Sequence, residues 1–374
     1  MNFLLVGTNP ENTGAATHFV ALAQALAAAR HRVHVIAHPG GPIARELAGA
    51  PGVRVYAGQF RNVLDVRAYV LVVTLARHFR PDWLIGNFGK EYWPLLALGR
   101  ALRIPVALFR HRTPPMKHLS AWFVPRLAQR FFAVSTHARQ AYLDRGIPAA
   151  RVQVLYNPVN MEHCRFDLHR RTAMRASLGI DGQAIVLGYA GRMQRGKGVF
   201  TLLEAATAAM ARNQQLHCLW LGDGPDATAV RELARCSVHA DRHHFIGWTD
   251  DVQSWYSVMS MLAFPSIAME TFGRVSVEAQ ASGVPVLGSN LGGIPETMDA
   301  GRTGLLLPPG DPVAWCDAIL ALCDPAIREP MAAAARPFVE QHFSGASIAA
   351  QLVSSLAAAG AATTKHHHPG GVFP

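Results

Sequence analysis

No apolar run in this 374-residue chain reaches the roughly 18–20 residues that a membrane-crossing helix needs. The five cysteines, Cys164, Cys218, Cys236, Cys316 and Cys323, are scattered without CxxC spacing. That excludes a sequence-encoded thiolate metal site and points to reduced, mostly buried thiols in a cytoplasmic protein. Charged residues are few, 16% of the total, against 50% hydrophobic ones. There is ample material for two buried sheets. The start, MNFLLVGTNP, has no basic leader and passes straight into a strand and a glycine loop, which argues against a signal peptide. That loop holds Gly7 and Gly14 but does not fit GxGxxG, so no dinucleotide site is read from it.

At this length two domains are expected. The formal net charge of +10 is unevenly spread: Arg61 to Arg151 holds 15 Lys/Arg and 4 Asp/Glu, leaving the rest of the chain near −1. A basic face confined to one domain implies an acidic partner, either anionic lipid or nucleic acid. Residues 116–132 mix Trp122, Phe123, Leu127, Phe131 and Phe132 with Lys117, Arg126 and Arg130. The segment reads either as lying on an anionic membrane or as a helix packing its apolar side on a sheet. Pro125 shortens it in both readings.

Short apolar runs at 2–7, 33–38, 53–57, 83–86, 105–109 and 131–134 alternate with helical patterns, the first over 17–29. This is the rhythm of a doubly wound domain, whose ligands bind at the carboxyl ends of strands. His111, flanked by Arg110 and Arg112, follows the strand ending at Phe109. His31, His34 and His38 lack a partnered ligand pattern and read as ordinary. A second domain opens at 184–206, where a strand ends at Gly191-Arg192, a basic loop follows and a helix begins near Val199. Arg192 and Lys197 thus reach a strand's carboxyl end beside a helix N-terminus, which suits a pyrophosphate. Asp223, Asp226, Asp250 and Asp251 read as turns or helix caps. Residues 265–295 then carry Glu270 and Glu278, with the Phe272-Gly273 turn between them. With a helix from Arg274, two carboxylates sit beside free backbone N–H groups and can accept hydrogen bonds from vicinal hydroxyls at each end of a nucleotide sugar.

This stretch closely resembles the E-x7-E motif of the retaining GT-B glycosyltransferases of family 4. Pro-Ser before the first Glu, Phe-Gly after it and Gly-Gly-Ile-Pro-Glu at 292–296 match as well. The Gly-Arg…Lys-Gly pair of Arg192 and Lys197 also matches. The resemblance implies a GT-B fold, two facing Rossmann-like domains with a cleft between them and a C-terminal crossover helix. It places the domains at 1–160 with a helix near 340–358, and at 161–339, leaving 359–374 as a disordered tail. It implies a metal-independent transferase (no DxD flanked by apolar residues appears) with no cofactor beyond its donor, a UDP-sugar favoured over a GDP-sugar. Glu278 would take the ribose, Arg192 and Lys197 the diphosphate, and Glu270 with backbone from Phe272, Gly273, Arg274 and Val275 the sugar. Gly14 would approach the phosphates, although a Thr13-Gly14 pair replaces the usual two glycines. His111 would face the sugar. Gly247 and Trp248 would meet the nucleobase, with Trp248 stacking, walling the pocket or belonging to the core. Arg110 or Arg112 would touch an anionic acceptor.

Asn157-Pro158-Val159-Asn160 stands where the family has Asn-Gly-Val-Asp, stiffening the hinge. The expected acceptor is a lipopolysaccharide or other envelope glycan, free or lipid-linked, met at the inner membrane face by a peripheral protein. A nucleotide-sugar epimerase is the alternative, and a basic nucleic-acid-binding protein a distant one. Nucleic acid is not expected as a partner.

Overall fold

The alternation of short apolar runs with Ala- and Leu-rich segments folds into two all-parallel sheets. The computed structural model describes residues 1–112 and 116–365, except the side chains of His118 and 360–365. The rest of the tail, with His366–His368, lies outside the described residues. Contacts divide the chain into a unit of Met1–Pro158 with the segment from Gly345, and a unit of Val159–Ser344.

In the first unit, β1 (Asn2–Gly7), β2 (Arg32–Ala37), β3 (Val53–Ala57), β4 (Trp83–Gly86), β5 (Val106–Arg110), β6 (Arg130–Ala133) and β7 (Val152–Val154) pair in the order 3-2-1-4-5-6-7. Strand alternation assigns the faces. Phe3 and Leu5 pack with α1 (Gly14–Ala28), α2 (Pro42–Glu46) and α14 (Gly345–Lys365). Leu4 and Val6 pack with α3 (Val66–Phe79), α4 (Tyr92–Leu102), α5 (His118–Leu127) and α6 (Thr136–Leu143). Helix α1 starts at Gly14, ahead of the expected residue 17, because the Thr13 hydroxyl accepts the Ala16 N–H at 3.3 Å and opens the helix there. Helix α14 continues past Ala359 to Lys365, into the stretch read as a disordered tail. Its stripe of Ile348, Leu352, Leu356 and Ala359 belongs to the same core as α1 and carries the helix onward.

In the second unit, β8 (Ile185–Ala190), β9 (Leu216–Leu221), β10 (His243–Gly247), β11 (Met261–Phe264), β12 (Val286–Ser289) and β13 (Gly304–Leu307) pair in the order 10-9-8-11-12-13. One face is covered by α8 (Val199–Arg212), α9 (Ala227–Arg235) and α12 (Pro312–Ala321) around Trp220 and Trp315. The other is covered by α7 (Leu168–Ser177), α10 (Val252–Tyr256) and α11 (Arg274–Ala281). Helix α13 (Pro325–Phe343) packs on α11. All five cysteines are free thiols, four of them buried.

A histidine cluster marks the β9–β10 edge. His217 Nδ1 and His244 Nε2 lie 3.0 Å apart, and His243 Nδ1 accepts the Trp220 indole N–H at 3.2 Å. Burial first, then neighbouring positive groups, pushes His243 and His244 down to about 4. The unfolded chain takes up these protons near pH 6.5, whereas the folded chain resists to about pH 4. Their contribution to stability is therefore complete above pH 6.5 and is lost as pH falls toward 4. The melting temperature, followed by circular dichroism, is expected to drop by several degrees between pH 7 and pH 5. His244→Gln should flatten that dependence; an unchanged profile would contradict the account.

Candidate active site

Both sheets reverse strand order at one point, between β1 and β4 and between β8 and β11. Loops leaving the carboxyl ends of such neighbours diverge to opposite faces and leave a crevice where ligands bind. Nearly every residue singled out from the sequence lies on these loops or on the strand ends beside them.

In the second unit the loops after β8, β9 and β11 are locked together through glycines. A Cβ on Gly198, at φ +70°, would lie 1.8 Å from the Pro265 carbonyl oxygen, and one on Gly222 2.0 Å from that of Gly191. Gly292 and Gly293 approach the carbonyls of Glu270 and Thr271 as closely. Hydrogen bonds follow: the Gly196 carbonyl accepts from Ile267 and Ala268 N–H at 3.0 and 2.9 Å, and Gly293 N–H donates to the Glu270 carbonyl at 2.9 Å. Only a residue without a side chain permits this spacing.

The interlock decides where the charges go. Lys197 Nζ forms an ion pair with Glu270 Oε1, which also accepts the Ser266 hydroxyl at 2.7 Å. Glu278, buried on α11, receives the Arg274 guanidinium on Oε1 and the Tyr256 hydroxyl on Oε2 at 3.0 Å. Burial opposes the Arg274 charge, yet the Glu278 carboxylate more than offsets this and raises its pKa. These contacts make three hydrogen bonds, so the carboxylate keeps capacity for a ligand hydroxyl. Glu278 lines a cavity of about 420 Å³ together with Gly191, Arg192, Gly222, Trp248 and Val275. The Tyr189 hydroxyl donates to the Arg192 carbonyl at 2.9 Å; Lys197 and Glu270 do not line the cavity but lie on the loops after β8 and β11, the first of which carries Arg192.

Helices α8 and α11 both begin here, at Gly198 and at Gly273 (φ +114°), with no side-chain cap. Their first-turn N–H groups and dipoles are available to an anion. Phe272 is buried against Phe343, which fixes the turn before α11. Gly247, at φ +83°, accepts the Gly222 N–H through its carbonyl at 2.7 Å. Trp248 is 67% exposed at the cavity wall, so the core reading does not hold. Asp251 caps α10 as expected. Asp226, by contrast, takes the Arg195 N–H at 2.6 Å and holds the basic loop.

A larger groove of about 790 Å³ runs along residues 162–170 and 251–254. Its Arg170 is already compensated by Asp167 and Asp251, so the smaller cavity is the better anion site.

In the first unit the His111 ring packs on His18 at 4.5 Å, and His111 Nε2 lies 2.7 Å from Asn87 Oδ1. Asn87 Nδ2 in turn donates to the Ala15 carbonyl at 2.8 Å. The end of β5 is thereby tied to the start of α1, beside Gly14. Arg110 turns toward Tyr92 and Tyr142 under the α3–α6 layer, where its charge is felt by both hydroxyls, whereas Arg112 is exposed. Of the two arginines, Arg112 is the more exposed.

Sequence reasoning missed Glu91, Tyr256 and the Arg274 side chain. Glu91 is fully buried and accepts from the Thr8 N–H and hydroxyl at 2.6 and 2.9 Å and from the Phe88 N–H at 3.3 Å, which anchors the loop after β1. Burial raises its carboxyl to about 7 even so. GKE after a strand looks like a solvated turn, so nothing in the sequence flags it. The Arg274–Glu278 spacing of four was a legible helical ion pair.

Because φ and close contact both demand glycine at 198, Gly198→Ala should destabilise the second unit by about 2–4 kcal/mol in urea unfolding. It should also abolish nucleotide binding. A variant with unchanged midpoint and binding would contradict the interlock.

The family called Glycosyltransferase Family 4 matches residues 12–163, and that called Glycosyl transferases group 1 matches 184–324. The D-inositol 3-phosphate glycosyltransferase of Corynebacterium kroppenstedtii is 37% identical over 163 residues, 40% of this chain and 35% of that protein. That of Catenulispora acidiphila is 31% identical over 265 residues, 65% of this chain and 61% of its own length. The chain spans about half the length of the curated relatives it matches. Among solved structures, Anabaena HepE in complex with UDP-glucose superposes with a TM-score of 0.78 at 20% identity, over 96% of this chain and all of that one. The two matched families together take in more than three quarters of the residues, on the two Rossmann-like sheets described above. The chain therefore belongs to the family 4, group 1 glycosyltransferases and has the GT-B fold.

Proposed function

We propose that the protein is a retaining hexosyltransferase that moves a sugar from a nucleoside diphosphate, UDP in preference to GDP, to an acceptor hydroxyl. The observation that carries this reading is the cavity of the second unit. Arg192 and Glu278 line it together, the Lys197–Glu270 pair lies on the neighbouring loops after β8 and β11, and two uncapped helix N-termini open in the same loops. Glu278, held by Arg274 and Tyr256, takes the ribose hydroxyls. Arg192, released toward the cavity, and Lys197, on exchanging its Glu270 partner, take the diphosphate. Glu270 and the first-turn amides of α11 then hold the sugar.

Fixed cations and helix dipoles stabilise the leaving diphosphate without requiring a divalent ion, and holding both ends of the donor aligns the anomeric carbon. We read the reaction as front-face internal return: the departing phosphate oxygen takes the acceptor proton, and the new bond forms on the face the leaving group vacates. His111, Gly14 and Arg112 belong to the sugar and acceptor side of this scheme. UDP-glucose in the similarly folded HepE supports the donor class.

For the acceptor, the basic first unit supports an envelope glycan, lipopolysaccharide among them, reached at the inner membrane face. A second reading, a phosphorylated cyclitol, is favoured by the relatives named D-inositol 3-phosphate glycosyltransferases. Product analysis with a lipid-linked glycan and with inositol 3-phosphate separates the two.

Glu270→Ala should lower turnover by at least about a hundredfold, measured as release of nucleoside diphosphate in the presence of acceptor; near-normal turnover removes the assigned role. Arg192→Ala with Lys197→Ala should weaken UDP binding by about a hundredfold in titration calorimetry. Equal affinity would refute the diphosphate assignment. Tyr256→Phe should narrow the preference for UDP over 2′-deoxy-UDP, because Glu278 loses a partner that orients it. A preference left at the wild-type value counts against that role.

A further inference from the structure

Helix α5 is apolar on two sides. Inward, Val124 and Ala128 pack in the core on the sheet and Ala121 is buried. Outward, Leu119, Trp122, Phe123 and Leu127 form a second stripe at positions i, i+3, i+4 and i+8, with Leu119 74% and Leu127 51% exposed. Amphipathic surface helices place polar residues there. Arg126 lies over the Trp122 ring at 3.9 Å, stiffening the stripe and setting a cation within it.

The layer continues beyond α5. Helix α4 packs between α3 and α5, and its exposed Trp93 donates its indole N–H to Ser120 on α5 at 3.0 Å. On α3 and the loop before it, Leu64 is 83% and Val66 71% exposed, with Val63 and Val70 beside them. The exposed cations of this layer are Arg61, Arg67, Arg77, Arg100, Arg103 and Lys117. None of them forms an ion pair among the described residues. The four acids between 61 and 151 cannot balance them: Glu91 is buried, Asp65 caps α3, Asp82 accepts the Asn2 N–H, and Asp144 accepts from Gln140. Scattered apolar residues on a surface are ordinary. A stripe ringed by unopposed cations marks an interaction face.

We propose that the outer face of α3–α4–α5 is a docking surface for an anionic lipid bilayer. Aliphatic tips and tryptophans enter the headgroup boundary while arginines meet anionic headgroups. Charge decides against a second copy of the chain, since a symmetric pairing would press two cationic layers together. Two separated apolar clusters on neighbouring helices suit a plane better than a groove-filling peptide. Among the described residues no helix is long and apolar enough to cross a membrane, so the attachment is peripheral. The surface deepens the envelope-acceptor reading but stands on its own observations.

The test is co-sedimentation of the full chain with phosphatidylcholine vesicles with and without about 30% phosphatidylglycerol. Binding is expected only with the anionic lipid and is expected to weaken as salt rises. Leu119→Ser with Trp122→Ser should cost about tenfold in vesicle affinity, at unchanged melting temperature and unchanged UDP affinity. Arg67→Ser with Arg100→Ser should weaken binding to the anionic vesicles. The proposal is overturned by equal binding to both vesicles, by no binding, or by apolar variants that bind as the wild type does. It is likewise overturned by a dimer in analytical ultracentrifugation that the apolar substitutions dissolve. UDP calorimetry on the same preparations reports on the donor site separately. Efficient transfer to inositol 3-phosphate alongside normal vesicle binding would remove the envelope acceptor and leave the docking surface standing.

Discussion

The close approach of four loops through glycine holds the candidate site of the second unit together. The Pro265 carbonyl occupies the space a side chain at 198 would need, and the carbonyls of Gly191, Glu270 and Thr271 do the same to Gly222, Gly292 and Gly293. Main chain packed this tightly is satisfied by its own cross-loop hydrogen bonds and cannot drift. Lys197 and Glu270, although far apart in sequence, consequently meet within hydrogen-bonding range, and Arg192 and Glu278 share one cavity. Without the interlock these would be four exposed charges on flexible turns, each worth little.

Ground-state pairing has a mechanistic meaning. In the absence of donor, Glu270 is neutralised by Lys197 and Glu278 by Arg274, so neither carboxylate stands uncompensated in a half-buried site. In the proposed scheme a diphosphate would bring its own charge and compete for Lys197, which would free Glu270 for sugar hydroxyls. Glu278 has no such exchange to make. Its Arg274 and Tyr256 contacts come from the helix that bears it and from the adjacent α10, and they leave room for ligand without breaking. In that scheme the two carboxylates of the motif would differ in kind, one switched by ligand and one preset.

The two units differ equally. The second concentrates its charge in paired networks at the strand ends. The first spreads arginines over the outside of one helical layer, where acids are few and Glu91 is buried and Asp65 caps a helix. That asymmetry is why the net charge of the chain resides in one half.

By itself, the sequence determined the parallel sheets, the place of the basic and acidic motifs at strand ends, and the confinement of positive charge. These are properties of short-range pattern: apolar runs, helix starts and residue spacing. It also made the Arg274–Glu278 helical pair legible. Only the tertiary structure revealed Tyr256 beneath Glu278, the buried Glu91 holding the loop after β1, and Arg110 turned away toward Tyr92 and Tyr142. The same holds for the run of α14 to Lys365, and for α5 packing Val124 on the sheet while the Trp122, Phe123 and Leu127 already picked out in the sequence stay exposed. Each depends on what long-range packing brings opposite a residue, and one chain read alone does not contain that information.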